Sequence, residues 1–392
     1  MSVRVGLPAS DVAPDALNRN KKTPADFGAD AVSRTSKMAR LEKRLLCDKT
    51  VAYIGAPFND GQELKGVDEG PKALRDAGLR AYTMKMGFAF EDWGDINPHA
   101  PSRYTTVESS TSLKGDSDDS MEGEGEGEAH GSGESAVYYT NVKNSREVGR
   151  ACKKIHDATQ HAAAEKKFVL TIGGDHSIAA GSIAGLLTER PDLAIIWVDA
   201  HGDCNTPETT PSGNYHGMPA AHLLGWFKKL VPGFEWMQKV PTLPENRIAF
   251  VGLRDLDPAE KDMMMHSGVH CFTMQDVDRY GISKVMDMAL SKIDPEGRRP
   301  LHLSLDVDAC DPAVAPGTGT KARGGLTYRE VHYICEAMAE TSRLTSMDLV
   351  EINPLIDTPS EDLHGDDPDI KGTQTVRLGV ELIASALGKT IM

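Results

Sequence analysis

LAIIWVDAHGDCN, residues Leu193 to Asn205, sets the reading of the whole chain. Its first half, Leu193 to Val198, is apolar throughout, so a strand formed here has both faces buried. Strands of that kind belong to parallel sheets covered by helices on either side. The second half turns abruptly polar. Asp199, His201 and Asp203 follow at steps of two, and in an extended chain residues i, i+2 and i+4 point to one side. Three ligand-type side chains therefore converge at the carboxyl end of a buried strand, where open parallel sheets bind their ligands.

The same pattern recurs on both sides of this stretch. FVLTIGG (Phe168 to Gly174) runs into GGDHS with His176, and Leu301 to Val307 runs into SLDVDACDP with Asp306 and Asp308. Val51 to Pro57, Ile248 to Gly252 and Met347 to Ile352 carry the same strand signature, with the fold beginning at Thr50. Helical stretches lie between them. Gly70 to Leu79 opens with Pro71 near its first position, and Ser145 to Ala164 places Val148, Ala151, Cys152 and Ile155 at steps of three and four. This alternation predicts an α/β fold, a three-layer α/β/α arrangement around a central parallel sheet, formed as one domain over residues 49–392.

Composition agrees with a folded body and narrows its partners. The chain has 392 residues, 40% of them hydrophobic and 26% charged, enough apolar material for a large core. A formal net charge of -15 with no basic stripe speaks against nucleic-acid binding. No run of 18 apolar residues predicts a membrane span, and no secretory signal opens the chain. Residues 1–48 read as a polar extension with a short helix over Met38 to Leu46. Its Arg4, Arg19, Lys21 and Lys22 are interrupted by Asp11 and Asp15, against the pattern of a transit peptide. Residues 108–135 hold nine acidic residues against one lysine and read as a disordered insertion; they carry more than half of the net charge, which therefore says little about the folded body. The six cysteines are scattered without a CxxC pair, the usage of reduced thiols in the cytoplasm.

His176, Asp199, His201, Asp203, Asp306 and Asp308 make the candidate metal site. Two imidazoles and four carboxylates without a thiolate suit a harder cation such as manganese better than structural zinc. Four carboxylates balance two divalent cations. A lone GGDH is as often a capped turn as a ligand, and one DxD is often a solvated loop end. With all three at strand ends, a buried cluster of unpaired carboxylates would be costly without metal.

GGDHS, DAHGD and SLDVDACDP together resemble the three metal-binding motifs of the ureohydrolases, and the likeness to arginases runs from about Thr50 to Leu387, excepting the acidic insertion. The resemblance implies two Mn2+ per chain, with Asp199 and Asp306 bridging them, His176 and Asp203 completing one and His201 and Asp308 the other. It implies attack of a metal-bridging hydroxide on the guanidinium carbon of L-arginine, giving L-ornithine and urea, and so a place in arginine metabolism and the urea cycle. Glu351, in DLVEINP, matches the family carboxylate that holds the guanidinium, where a bidentate pair fixes the angle of attack. Asp203 is suited to shuttle the proton, and His216, in SGNYHG, matches the family's general acid. Thr320, in GTGTKARGG, looks like the family threonine near the metal pair. NTPETTPSGNYHG resembles the loop that binds the substrate α-carboxylate, which places Asn205, Ser212 and Asn214 there with Thr210 nearby. Asp257 and Glu260, in GLRDLDPAE, match the carboxylates that hold the α-amino group directly or through water. Asp278 and Arg329 match residues paired across the family's homotrimer interface.

Three positions depart from the pattern. Gly202 stands where most arginases have threonine, and Ala309 and Cys310 replace the usual glycine and leucine. Gly202 is expected to loosen the loop bearing Asp203. An agmatinase or guanidinobutyrase-type ureohydrolase is the alternative; agmatine has no α-carboxylate to occupy the Asn205 loop. A nucleotide-binding oxidoreductase would need a GxGxxG after a strand, which is missing. A catalytically silent partner, acting through the acidic loop, is at odds with six retained ligands.

Overall fold

The apolar runs read from the sequence are strands of one sheet. In the computed structural model, which describes residues 46–101, 103–104, 136–359 and 368–389, β1 (Thr50–Ala56), β2 (Ala89–Asp95), β3 (Phe168–Gly173), β4 (Ala194–Val198), β5 (Ile248–Leu253), β6 (His270–Thr273), β7 (Leu301–Asp306) and β8 (Leu344–Val350) pair in the order β2-β1-β3-β8-β7-β4-β5-β6. Every pairing is parallel. The described residues belong to a single compact unit. The rest of the N-terminal extension, with the expected helix from Met38, and the acidic insertion at 108–135 lie outside the described residues.

The intervening helices are α1 (Gly70–Asp76), α2 (Leu79–Lys85), α3 (Ser145–Ala164), α4 (Ala179–Glu189), α5 (Pro219–Leu223), α6 (Pro258–His266), α7 (Met274–Tyr280), α8 (Ile282–Ile293), α9 (Tyr328–Glu340) and α10 (Gln374–Ala386). The expected helix over Gly70 to Leu79 breaks at Gly78, whose φ of 95° is left-handed and ends one helix before the next begins. Alternate strand residues feed two cores. Val51, Tyr53, Leu170, Ile196 and Leu303 pack under α1, α8, α9 and α10, whereas Ala52, Ile54, Val169, Ile195 and Phe250 pack under α3, α4 and α5. These are the three layers that fully apolar strands require.

Two strands had no such signature. β2 (AFEDWGD) and β6 (HCFT) are the sheet edges, each partly exposed, and β2 carries charged residues as edge strands commonly do. Their polarity hides them from a search for apolar runs.

Helices α3 and α4 touch through glycines. A Cβ at Gly181 would collide with the carbonyl of Cys152, and one at Gly185 with the carbonyl of His156 and the hydroxyl of Thr159. Valine at Gly181 gains less than about 1 kcal/mol of helix propensity, but overpacking against backbone costs about 2–3 kcal/mol. Gly181→Val should therefore lower the unfolding free energy by about 2 kcal/mol in urea titration followed by circular dichroism; an unchanged midpoint would contradict this packing.

Candidate metal centre

The carboxyl ends of β3, β4 and β7, which lie close together in the sheet, deliver the six predicted ligands to one place. His176 sits in the turn after β3, Asp199 directly after β4, and Asp306 ends β7. His176 Nδ1 lies 3.1 Å from Asp199 Oδ2, 2.9 Å from Asp203 Oδ2 and 3.4 Å from Asp306 Oδ2. His201 Nδ1 lies 3.4 Å from Asp199 Oδ1 and 3.1 Å from Asp308 Oδ2. Two candidate cation clusters result, His176/Asp199/Asp306 and Asp199/His201/Asp308, with Asp199 common to both. All are buried except His201, whose side chain is 27% exposed and opens the cluster to solvent.

The chemistry of these atoms fits cations. His176 Nδ1 and Asp203 Oδ2 are buried and make no hydrogen bond despite their proximity, so both are turned towards a shared point. Burial pushes the Asp203 carboxyl up to about 6, with the Asp199 charge adding to it and His176 and His216 opposing. Burial likewise drives Asp306 well above the carboxylate range, reinforced by Asp308 and Asp199. Burial disfavours a charged His176, yet Asp199, Asp203 and Asp306 outweigh it and hold its pKa well above the ordinary value. Such a cluster calls for positive charge. Burial raises the neighbouring Cys204 thiol well above its usual range.

Neighbouring side chains aim the ligands. Trp197 Nε1 donates to Asp199 Oδ2 at 3.1 Å, and its ring stacks on His176 at 4.3 Å. Ser304 Oγ and His176 Nε2 are 2.9 Å apart, leaving Nδ1 for the cluster. Thr320 Oγ1 donates to Asp308 Oδ2 at 2.7 Å, in keeping with its predicted place beside the site. Trp197 and Ser304 each stand two residues before a ligand, on the same strand face, so period two could have found both.

Asp203 and Glu351 have φ of 49° and 61°, a left-handed backbone that costs non-glycine residues about 1–3 kcal/mol. Glu351, 1% exposed, accepts from the His176 backbone N–H at 2.9 Å and from Gln62 Nε2 at 3.1 Å, and lies 3.4 Å from His216 Nδ1. Burial opposes a charged His216, but Glu351, Asp203 and Asp175 outweigh it and raise its pKa to about 9. Gln62 was not anticipated. It arrives on the loop after β1, tied across the site by Gly61 N donating to Asp175 Oδ2 at 2.8 Å and His216 N donating to the Gly61 carbonyl at 3.1 Å.

The predicted recognition loop is partly assembled. Asn205 Nδ2 donates to Asp257 Oδ2 at 2.9 Å, while Thr210 and Ser212 use their hydroxyls within the loop, on Gly213 N and Asn214 N. Asp257 and Glu260 also form a capping box at the start of α6. Glu260 is buried, with Oε1 accepting from Cys204 N at 2.8 Å and Oε2 from Asp257 N at 3.3 Å; burial pushes it up to about 8. Gly202 does not loosen its loop. A Cβ there would come within 2.7 Å of Glu260 Oε1 and 2.8 Å of Met264 Sδ, so the glycine lets α6 close onto the Asp203 segment. Ala309 and Cys310 are buried in the core. Asp278 and Arg329 are both exposed.

Known proteins identify the family. The model of the arginase family matches residues 49–388. The chain is 39% identical to an arginase of Plasmodium berghei over 90% of its own length and 96% of the relative's. It is 39% identical to the human mitochondrial arginase-2, covering 87% of the chain and 85% of the relative. A solved arginase from Bacillus cereus superposes with a TM-score of 0.70 at 32% identity, over 88% of this chain and all of that one. Sequence motifs, sheet order and the paired cation clusters converge on one conclusion: this chain is a hydrolase that belongs to the arginase family.

Proposed function

We propose that the chain is an arginase that hydrolyses L-arginine to L-ornithine and urea with two Mn2+ per chain. The observation that carries this reading is the placement of Glu351, a buried carboxylate that accepts from the His176 amide and lies beside His216. His176, Asp199, Asp203 and Asp306 would hold one ion, and Asp199, His201, Asp306 and Asp308 the other. Bound there, the ions supply Lewis acidity and make hydroxide available near neutral pH.

The chain's own residues do the rest. Glu351 takes the guanidinium and, held by Gln62 and the His176 amide, fixes its angle to the cluster. Asp203, its carboxylate beside His176 in the cluster, accepts the proton released on attack. His216, with its pKa near 9, holds a proton at neutral pH for the leaving amine. Asn205, Thr210, Ser212 and Asn214 receive the α-carboxylate, and Asp257, backed by Glu260, the α-amino group. We place the enzyme in the cytoplasm as a homotrimer with Asp278 and Arg329 at the interface. The six free cysteines support a reducing compartment, and no helix among the described residues is long and apolar enough to cross a membrane. Light scattering at three times the 42.4 kDa chain mass is the expected result, and a monomer would remove the trimer.

Urea release should require manganese after chelation and favour arginine over agmatine by about 10⁴-fold in kcat/KM, since agmatine leaves the carboxylate donors unmatched. A preference for agmatine or guanidinobutyrate would replace this assignment with the alternative ureohydrolase. Glu351→Gln should cut kcat/KM for arginine by about 100-fold or more, on the order of 3 kcal/mol, without lowering bound manganese. Ser304→Ala should weaken manganese binding by about tenfold in equilibrium dialysis with an unchanged circular dichroism spectrum; full affinity would show that the hydroxyl does not orient His176.

A further inference from the structure

Arg254 follows β5 and is half-buried beside the second cation cluster. Its Nη1 donates to the carbonyls of Gly252 at 3.2 Å and Ala309 at 3.0 Å. Its Nη2 donates to the carbonyls of Asp308 at 2.6 Å, Ala322 at 2.8 Å and Cys310 at 3.2 Å. All five acceptors are peptide oxygens. The backbone of the same residue reaches further: Arg254 N and Asp255 N both donate to the Ala200 carbonyl, at 2.9 and 3.0 Å.

These bonds converge on one half of the site. Ala200 lies between Asp199 and His201, the Asp308 to Cys310 turn carries Asp308, and Ala322 belongs to the segment whose Thr320 donates to Asp308 Oδ2. Each residue of the Asp199/His201/Asp308 cluster is thus fastened, through its own or an adjacent peptide, to Arg254. Charge alone argues against a cation here, because a guanidinium beside a site for two dications repels them. Geometry argues for it: a planar fork serves several fixed carbonyls at once, which the three donors of a compact ammonium cannot do.

We infer that Arg254 is a positioning residue that preassembles the Asp308 side of the metal centre: its guanidinium grips the Asp308 to Cys310 turn and the Ala322 segment through their carbonyls, while its backbone amide holds Ala200 beside His201. The inference rests on the reading of His201 and Asp308 as metal ligands and adds the residue that sets their geometry.

The test uses the full chain, stripped of metal and titrated with Mn2+, for the parent and for Arg254→Lys and Arg254→Gln. Equilibrium dialysis gives each step of binding, and electron paramagnetic resonance separates a spin-coupled manganese pair from an isolated ion. The parent is expected to take up two ions as a coupled pair. Both variants should keep the first ion near parental affinity, bind the second about tenfold or more weakly, and show an isolated-ion spectrum. A lysine variant that binds both ions as the parent does would overturn the inference. So would a folded variant that loses both ions equally, or a lysine variant that fails less than glutamine in proportion to retained charge. A parent that takes up no pair would sink the ligand reading along with the inference, which the variants alone cannot do. Should the variants fold only with Mn2+ present, stepwise removal of the metal by a chelator decides: release of one ion well before the other is expected, and release of both together would contradict the inference.

Discussion

The structure turns on the crowding of buried acids around Asp199. Within each candidate cluster the ligand atoms lie within 4.8 Å of one another. Two carboxylates at that separation, at an effective interior screening, repel by about 3 kcal/mol. Burial adds to the cost, as the raised pKa values of Asp203 and Asp306 record. Divalent cations held there would reverse the sign of these terms. The left-handed backbones of Asp203 and Glu351 add strain at the same place. Only a surrounding frame that is over-determined can hold such an arrangement, and a parallel sheet with two packed faces provides it.

How much of this was legible in the sequence follows from the range of each signal. β1, β3, β4, β5, β7 and β8 are buried on both faces, so their apolar runs announced them within a residue or two for most, and β8 began three residues early, at Leu344. The edges β2 and β6 lack that burial and stayed hidden. The six candidate ligands were legible because they sit at strand ends and their spacing of two is local. Trp197 and Ser304 obey the same spacing and were readable in principle. Gln62 was not, because it meets Glu351 across 289 residues of sequence and nothing local in NDGQELKG marks an amide that donates to a distant carboxylate.

The loop after β4 shows how two residues each serve two ends. Asp257 and Glu260 cap α6, and the same carboxylates hold Asn205 and the Cys204 amide in place. A capping box is readable in DPAE, yet its tie to the loop after β4 depends on Gly202, whose missing side chain lets Glu260 and Met264 approach. A substitution that looked like looseness is a close contact instead. The start of α6 and the loop after β4 are therefore tied together beside Asp203.

The claim at the centre of this account is that two cations share Asp199. Anomalous diffraction at the manganese absorption edge, from crystals of the full chain grown with Mn2+, tests it directly. The account predicts two peaks in each chain, one against His176 Nδ1 and Asp203, the other against His201 Nδ1 and Asp308, with Asp199 touching both. A single peak, or peaks away from these six residues, would contradict it.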